Sequence, residues 1–211
     1  MKKLLVLTIL CFSTLSWAQN EKYIKTMEQN VTKLDTASTA VAYNMLANNF
    51  ERIAKAEKNE WLPYYYAAYC YVVGGFMARD MSKADAVADK AEALINKADT
   101  LKTHNSEIMC VMSMINGARI MVDPQTRGMK YGMLSSQQLS MAKTYNPDNP
   151  RPYLLESQSK LYTPEQWGGG KAAARMALDE GRKRLASFKP ESSIAPHWGE
   201  KLAEMIEAQM K

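Results

Sequence analysis

The chain has 211 residues, with 27 lysines and arginines against 22 acidic residues, a formal charge of +5. So mild a basic excess gives no footing for nucleic-acid binding. Two histidines and three cysteines, none at metal-ligand spacing, give none for a metal centre or a cofactor attached by local motif.

The first residues are read as an export leader. Lys2 and Lys3 form a positive start, residues 4–15 an apolar run too short to span a membrane, and Ser16-Trp17-Ala18 a small-x-small cleavage pattern. Residues 1–18 are therefore expected to be a signal peptide, with one domain from Gln19 to Lys211. Cys11 does not read as a lipid attachment site, because Leu10 precedes it and the apolar lead is short. No later apolar run reaches membrane length. The expected destination is the periplasm, cell envelope or exterior, with no transmembrane segment after cleavage.

The rest reads as about nine helices. Tyr23, Ile24, Met27, Val31 and Leu34 keep a helical period. Capping residues at 35–38 precede a stripe of Tyr43, Leu46, Ala47, Phe50, Ile53 and Ala54. Residues 59–77 are apolar all round, as a helix covered on several sides must be. Asn59 is expected to cap that helix, and Gly74-Gly75 to loosen its end. Ser82 and Asp85 read as a capping box for an amphipathic helix whose stripe is Ala84, Val87, Ala88, Ala91, Leu94, Ile95, Ala98 and Leu101. Asn105 or Ser106 caps the next, Asp123-Pro124 starts another, and residues 146–150 form a turn ending in Asn149-Pro150. After a turn at 163–170, in which Trp167 reads as a packing wedge, helices are expected over 171–188 and 196–210. Cys70 and Cys110 both lie in apolar helical runs, where a buried thiol is favoured and a disulfide stays open.

An internal repeat organises these helices. Tyr64-x2-Ala67-Ala68-x2-Tyr71 stands 18 residues after Leu46-x3-Phe50-x2-Ile53. The same step separates Ala91 from Met109 and Ser135 from Tyr153. The later marks, Met109, Tyr153 and Trp198, follow Tyr64 at intervals of 45, 44 and 45 residues. These patterns resemble tetratricopeptide (TPR) repeats of exported bacterial proteins, over about residues 38–211. The units are stretched by ten or eleven residues between first and second helix. The resemblance implies an all-α, TPR-like α-solenoid of antiparallel helix pairs, whose first helices line a concave groove. It places Tyr65, Tyr69, Glu107, Met114, Arg151, Gln158 and Tyr162 on that groove.

Candidate chemistry is sparse. The stretch Trp167-Gly168-Gly169-Gly170-Lys171 lacks the spacing and following hydroxyl of a phosphate loop. No nucleophile or metal-protease motif occurs, so the protein is read as not an enzyme, with no catalytic residue, metal or cofactor. Met109, Met112, Met114, Met121, Met129, Met133 and Met141 crowd one third of the chain and read chiefly as core filler, with an adaptable binding surface as the alternative. A basic run at Lys171, Arg175, Arg182, Lys183 and Arg184 reads as a solvated face. The leading functional expectation is an exported scaffold that holds a peptide or protein segment in the concave groove. The alternative is a small-ligand-binding auxiliary protein for envelope transport or uptake.

Overall fold

A computed structural model describes residues 20–211; the expected leader and Cys11 lie outside them. The fold is all-α. The helices are α1 (20–36), α2 (Ala40–Ala56), α3 (Trp61–Ala78), α4 (Met81–Leu101), α5 (Ser106–Val122), α6 (Pro124–Tyr145), α7 (Arg151–Tyr162), α8 (Lys171–Ser187) and α9 (Glu200–Met210). A single 3-10 turn, Glu165–Trp167, interrupts the α7–α8 connection.

Several starts follow from local hydrogen bonding. Thr39 caps α2 by accepting from the Ala42 N–H at 3.2 Å. Asn105 caps α5 by accepting from Glu107 and Ile108 N–H. Asp123 caps α6, with Pro124 in the first turn. Three caps differ from expectation, the first being α2, which takes Thr39 rather than a residue of 35–38. Asn59 does not cap α3; Glu60 occupies that place, with no side-chain cap bond. The α4 cap is Asp80, whose carboxylate accepts from Ser82 N–H, which leaves Asp85 free to pair with Arg127.

Nor does Gly74-Gly75 loosen α3, which continues to Ala78. Gly74 is needed for contact: a Cβ there would lie 3.2 Å from both Tyr43 Cβ and Asn44 Oδ1 of α2. The turn after α7 is tighter still. A Cβ on Gly169 would lie 2.0 Å from the Thr163 carbonyl oxygen. The N–H groups of Gly168, Gly169 and Gly170 all donate to backbone carbonyls, so this loop holds no free anion cradle. Trp167, expected as a wedge, is exposed.

Successive helices from α2 to α9 pack on one another, and α3, α5, α7 and α9 also touch in series. The odd-numbered helices therefore form one layer, and α4, α6 and α8 back it. This is why α3 buries eleven of its eighteen residues and shows no polar face. The main core runs from Tyr23 and Met27 on α1 to Leu139 and Ala142 on α6; a second cluster joins Leu154, Leu178, Ala203 and Ile206 at the C-terminal end. The basic run of α8 is not simply solvated: Arg175 and Arg182 pair with Glu207 of α9, and Lys171 donates to the Met210 carbonyl. Cys70 and Cys110 are free and buried, and burial pushes both thiols far up from their ordinary value. Residues 188–199, expected to be helical from 196, form an extended strap; Gly199, at φ 141°, turns it into α9.

Candidate functional site

The expected groove is assembled in part and then closed. Tyr65, Tyr69, Glu107 and Arg151 converge on the inner face of the odd-numbered layer. Arg151 is 0% exposed. Its Nη1 donates to Glu107 Oε1 at 2.8 Å and to Asn149 Oδ1 at 3.2 Å, and its Nη2 donates to the Pro196 carbonyl at 2.7 Å. Asn149 Nδ2 donates to the same Glu107 oxygen at 2.8 Å and to Ser106 Oγ at 2.9 Å. Tyr65 donates to Glu107 Oε2 at 3.2 Å and accepts from Trp198 Nε1 at 2.8 Å. The Trp198 ring lies 5.0 Å from that of Tyr69, and the Arg151 guanidinium sits over Phe188 and Trp198. Burial pushes the Glu107 carboxyl above its usual range, opposed by Arg151 and by these donors. The tyrosine hydroxyls are raised well above theirs, first by burial.

The strap seals this network. Ile194 is buried in the main core and its carbonyl accepts from Tyr66; Pro196 meets Arg151; His197 Nε2 pairs with Asp35 of α1 at 2.8 Å. The chain's own residues fill the face on which a peptide groove was expected. The other three expected groove residues are elsewhere. Met114 and Gln158 are half-buried, Met114 against the core, and Tyr162 is exposed and donates to Gln209 Oε1 at 3.0 Å. Asn149 and Phe188 were not among the expected site residues, and Trp198 was expected on a helix. Nothing local marks them, because their partners lie 40 residues or more away in sequence for the Asn149–Ser106 and Trp198–Tyr65 bonds.

Two other places remain open to solvent. A cleft of about 250 Å³ lies between α6, α7 and α8, lined by Lys143, Tyr153, Glu156, Lys160, Met176 and Glu180 among others. Its charges are already paired: Lys143 and Lys160 with Glu156, and Glu180 with Arg184. The Tyr153 ring is held between Lys143 at 4.7 Å and Arg184 at 3.8 Å.

The second place is the edge of the stack where odd helices turn into even ones. Of the methionines read as core filler, Met109 is buried and Met112, Met114 and Met141 pack on the core, but Met121, Met129 and Met133 are exposed. Met77, Met81, Val41, Met45, Tyr162 and Trp167 are exposed at the same edge. An apolar crevice opens there between α3, α4 and α5, walled by Val72, Gly75, Phe76, Met81, Val87 and Met121. It is narrow, about 10 Å³, so a flat ligand would lie across its mouth rather than enter it. The described residues contain no cluster of three or more His, Cys, Asp or Glu placed to hold a metal ion.

Fold and surface together define an all-helical protein whose inner face is closed by its own strap, with exposed methionines both at the turn edge and, as Met176 and Met205, on α8 and α9. No protein-family model and no curated protein sequence matches the chain. Among solved structures it is similar to the HusA haemophore from Porphyromonas gingivalis, with 40% sequence identity, a TM-score of 0.81, and coverage of 90% of this chain and 92% of that one. The chain belongs to the family of that haemophore. Export, expected from the leader pattern, agrees with this kinship, and no helix among the described residues is long and apolar enough to cross a membrane. The same finding overturns the peptide-scaffold reading: the solved relative is a haemophore, and the face that reading required is filled by the strap.

Proposed function

We propose that the protein is an exported, non-enzymatic carrier of a porphyrin-class ligand, haem in the first instance. One observation carries the proposal: 40% identity to a haemophore over nine-tenths of the chain. The geometry supports it at the turn edge. Phe76, Met81 and Met121 offer an apolar, polarisable surface on which a macrocycle buries one face. Thioethers suit such a surface because they adapt to a flat, rigid partner. The crevice contains no histidine, so ring burial rather than imidazole ligation holds the ligand in this reading.

The buried set of Tyr65, Tyr69, Glu107 and Arg151 is the frame that fixes the stack in this reading. Met114, Gln158 and Tyr162 have no assigned part in holding the ligand. We read the pairs α3–α4, α5–α6 and α7–α8 as stretched tetratricopeptide-like units of one mature domain, residues 19–211, and residues 1–18 as its leader. A carrier gives up its cargo to an acceptor, so a protein partner belongs to the proposal.

The test is a haemin titration of the purified exported protein, followed by Soret absorbance. Met81→Glu and Met121→Glu are expected to weaken binding by at least about tenfold, since each sets a charge against an apolar ring. Met176→Glu, in the α6–α8 cleft, is expected to leave it unchanged. The opposite pattern would move the site to that cleft. No Soret change with the unmodified protein would end the carrier reading.

A further inference from the structure

The helix ends that wall the crevice, with the start of α6, carry several cations that are not equivalent, Lys83 among them paired with Asp80 at 2.9 Å. Arg119 donates to Asp89 at 2.7 Å and to Glu92 at 2.6 Å, and Arg127 donates to Asp85 at 2.7 Å. The acidic row of α4 thus neutralises both. Lys130 makes only a ring contact, 5.1 Å from the centroid of Tyr131. Arg79 is exposed and has no ion pair or side-chain hydrogen bond among the described residues. In the chain it falls between Phe76 and Met81, which both line the crevice, so its backbone lies beside them.

Its backbone is the second observation. Arg79 closes α3 at φ 52°, ψ 24°, in the left-handed region, with its N–H on the Gly75 carbonyl at 3.3 Å. Glycine is the favoured residue at this helix-ending position, because a Cβ crowds the following carbonyl. A non-glycine residue held in such a conformation points to a use for its side chain. A cation near a helix C-terminus is favourable, but any lysine or arginine in the last turn supplies that without the strain.

We infer that Arg79 is the carboxylate-recognising residue of the site. Its guanidinium pairs with a carboxylate of the bound macrocycle, while the ring lies on the methionines. This rests on the carrier reading and deepens it: the ligand class becomes porphyrins with free carboxylates. An arginine offers a planar fork of donors that matches a carboxylate.

The experiment compares haemin with haemin dimethyl ester, which keeps the ring and iron but masks both carboxylates. Arg79→Gly is expected to bind haemin roughly three- to tenfold more weakly, the range spanned by exposed ion pairs and charge-assisted hydrogen bonds. The same variant should bind the ester as the unmodified protein does, and Arg79→Lys should recover part of the haemin affinity. Its melting temperature should be equal or higher, because glycine relieves the left-handed strain. A variant that loses haemin and ester equally, or neither, overturns the inference while leaving the carrier reading intact. An unmodified protein that binds neither probe overturns both.

Discussion

Arg151 is the residue on which the interior depends. Its guanidinium joins α7, the α5 carboxylate Glu107 and the strap carbonyl of Pro196, with no water-exposed surface. Taking such a charge out of water is costly, and the pair repays that cost only because nearly every polar atom finds a partner. The exception is Arg151 Nε, which has none among the described residues. Removing one member leaves the other charge buried alone. Arg151→Met is therefore expected to cost about 3–5 kcal/mol in urea unfolding, and Arg151→Met/Glu107→Leu to recover part of that loss. A single variant that unfolds within about 1 kcal/mol of the parent would mean that water enters the network. Arg79 is the opposite case: a cation with no internal partner, kept in a conformation that suits glycine.

At the scale of elements, short helices and close turns make the stack. Ala67 and Ala68 are fully buried on α3, and their small side chains let neighbouring helices approach. Ala68→Trp is expected to cost at least about 1–3 kcal/mol by overpacking, read as a lowered melting temperature. Unchanged melting would mean that the position is free to open. Much of this was legible beforehand. The α2 stripe from Tyr43 to Ala54 is buried residue for residue, because one face of a helix repeats every three or four positions. Asn105 and Asp123 were legible as caps because each side-chain oxygen accepts from a backbone N–H only two or three residues on, which is a local matter. The Gly74-Gly75 pair misleads for the same reason. Read locally, two glycines loosen a helix; in the fold they admit α2 on one side, and Val87 of α4 lies 3.2 Å from a Cβ placed on Gly75.

At the scale of the molecule, the layer of odd-numbered helices has its inner face filled by the strap and its apolar surplus displaced to the turn edge. In the carrier reading, haemin bound there would stabilise the folded state by mass action. At a free haemin concentration one hundred times Kd, the gain is about 2.7 kcal/mol, a rise in melting temperature of roughly 5–10 °C for a domain of this size. Met81→Glu, binding about tenfold more weakly, should show no more than about half of that rise at the same haemin concentration, and an equal rise in the variant would place the ligand elsewhere.

The sequence by itself determined the helical class, the 18-residue step between its repeated marks, the caps Asn105 and Asp123, and core stripes such as that of α2. All of these depend on residues within a few turns of one another. The resemblance to tetratricopeptide repeats named Tyr65, Tyr69, Glu107 and Arg151, which the fold brings together on one face, along with Met114, Gln158 and Tyr162, which it does not. Only the tertiary structure decided that this face is closed. Trp198 meets Tyr65 across 133 residues, and His197 meets Asp35 across 162, contacts that no local period encodes. Whether a methionine fills a core or forms an open surface was decided in the same way. Met109 and Met129 share a composition and a helical setting, yet one is 5% exposed and the other 82%, because burial is set by the neighbouring helices.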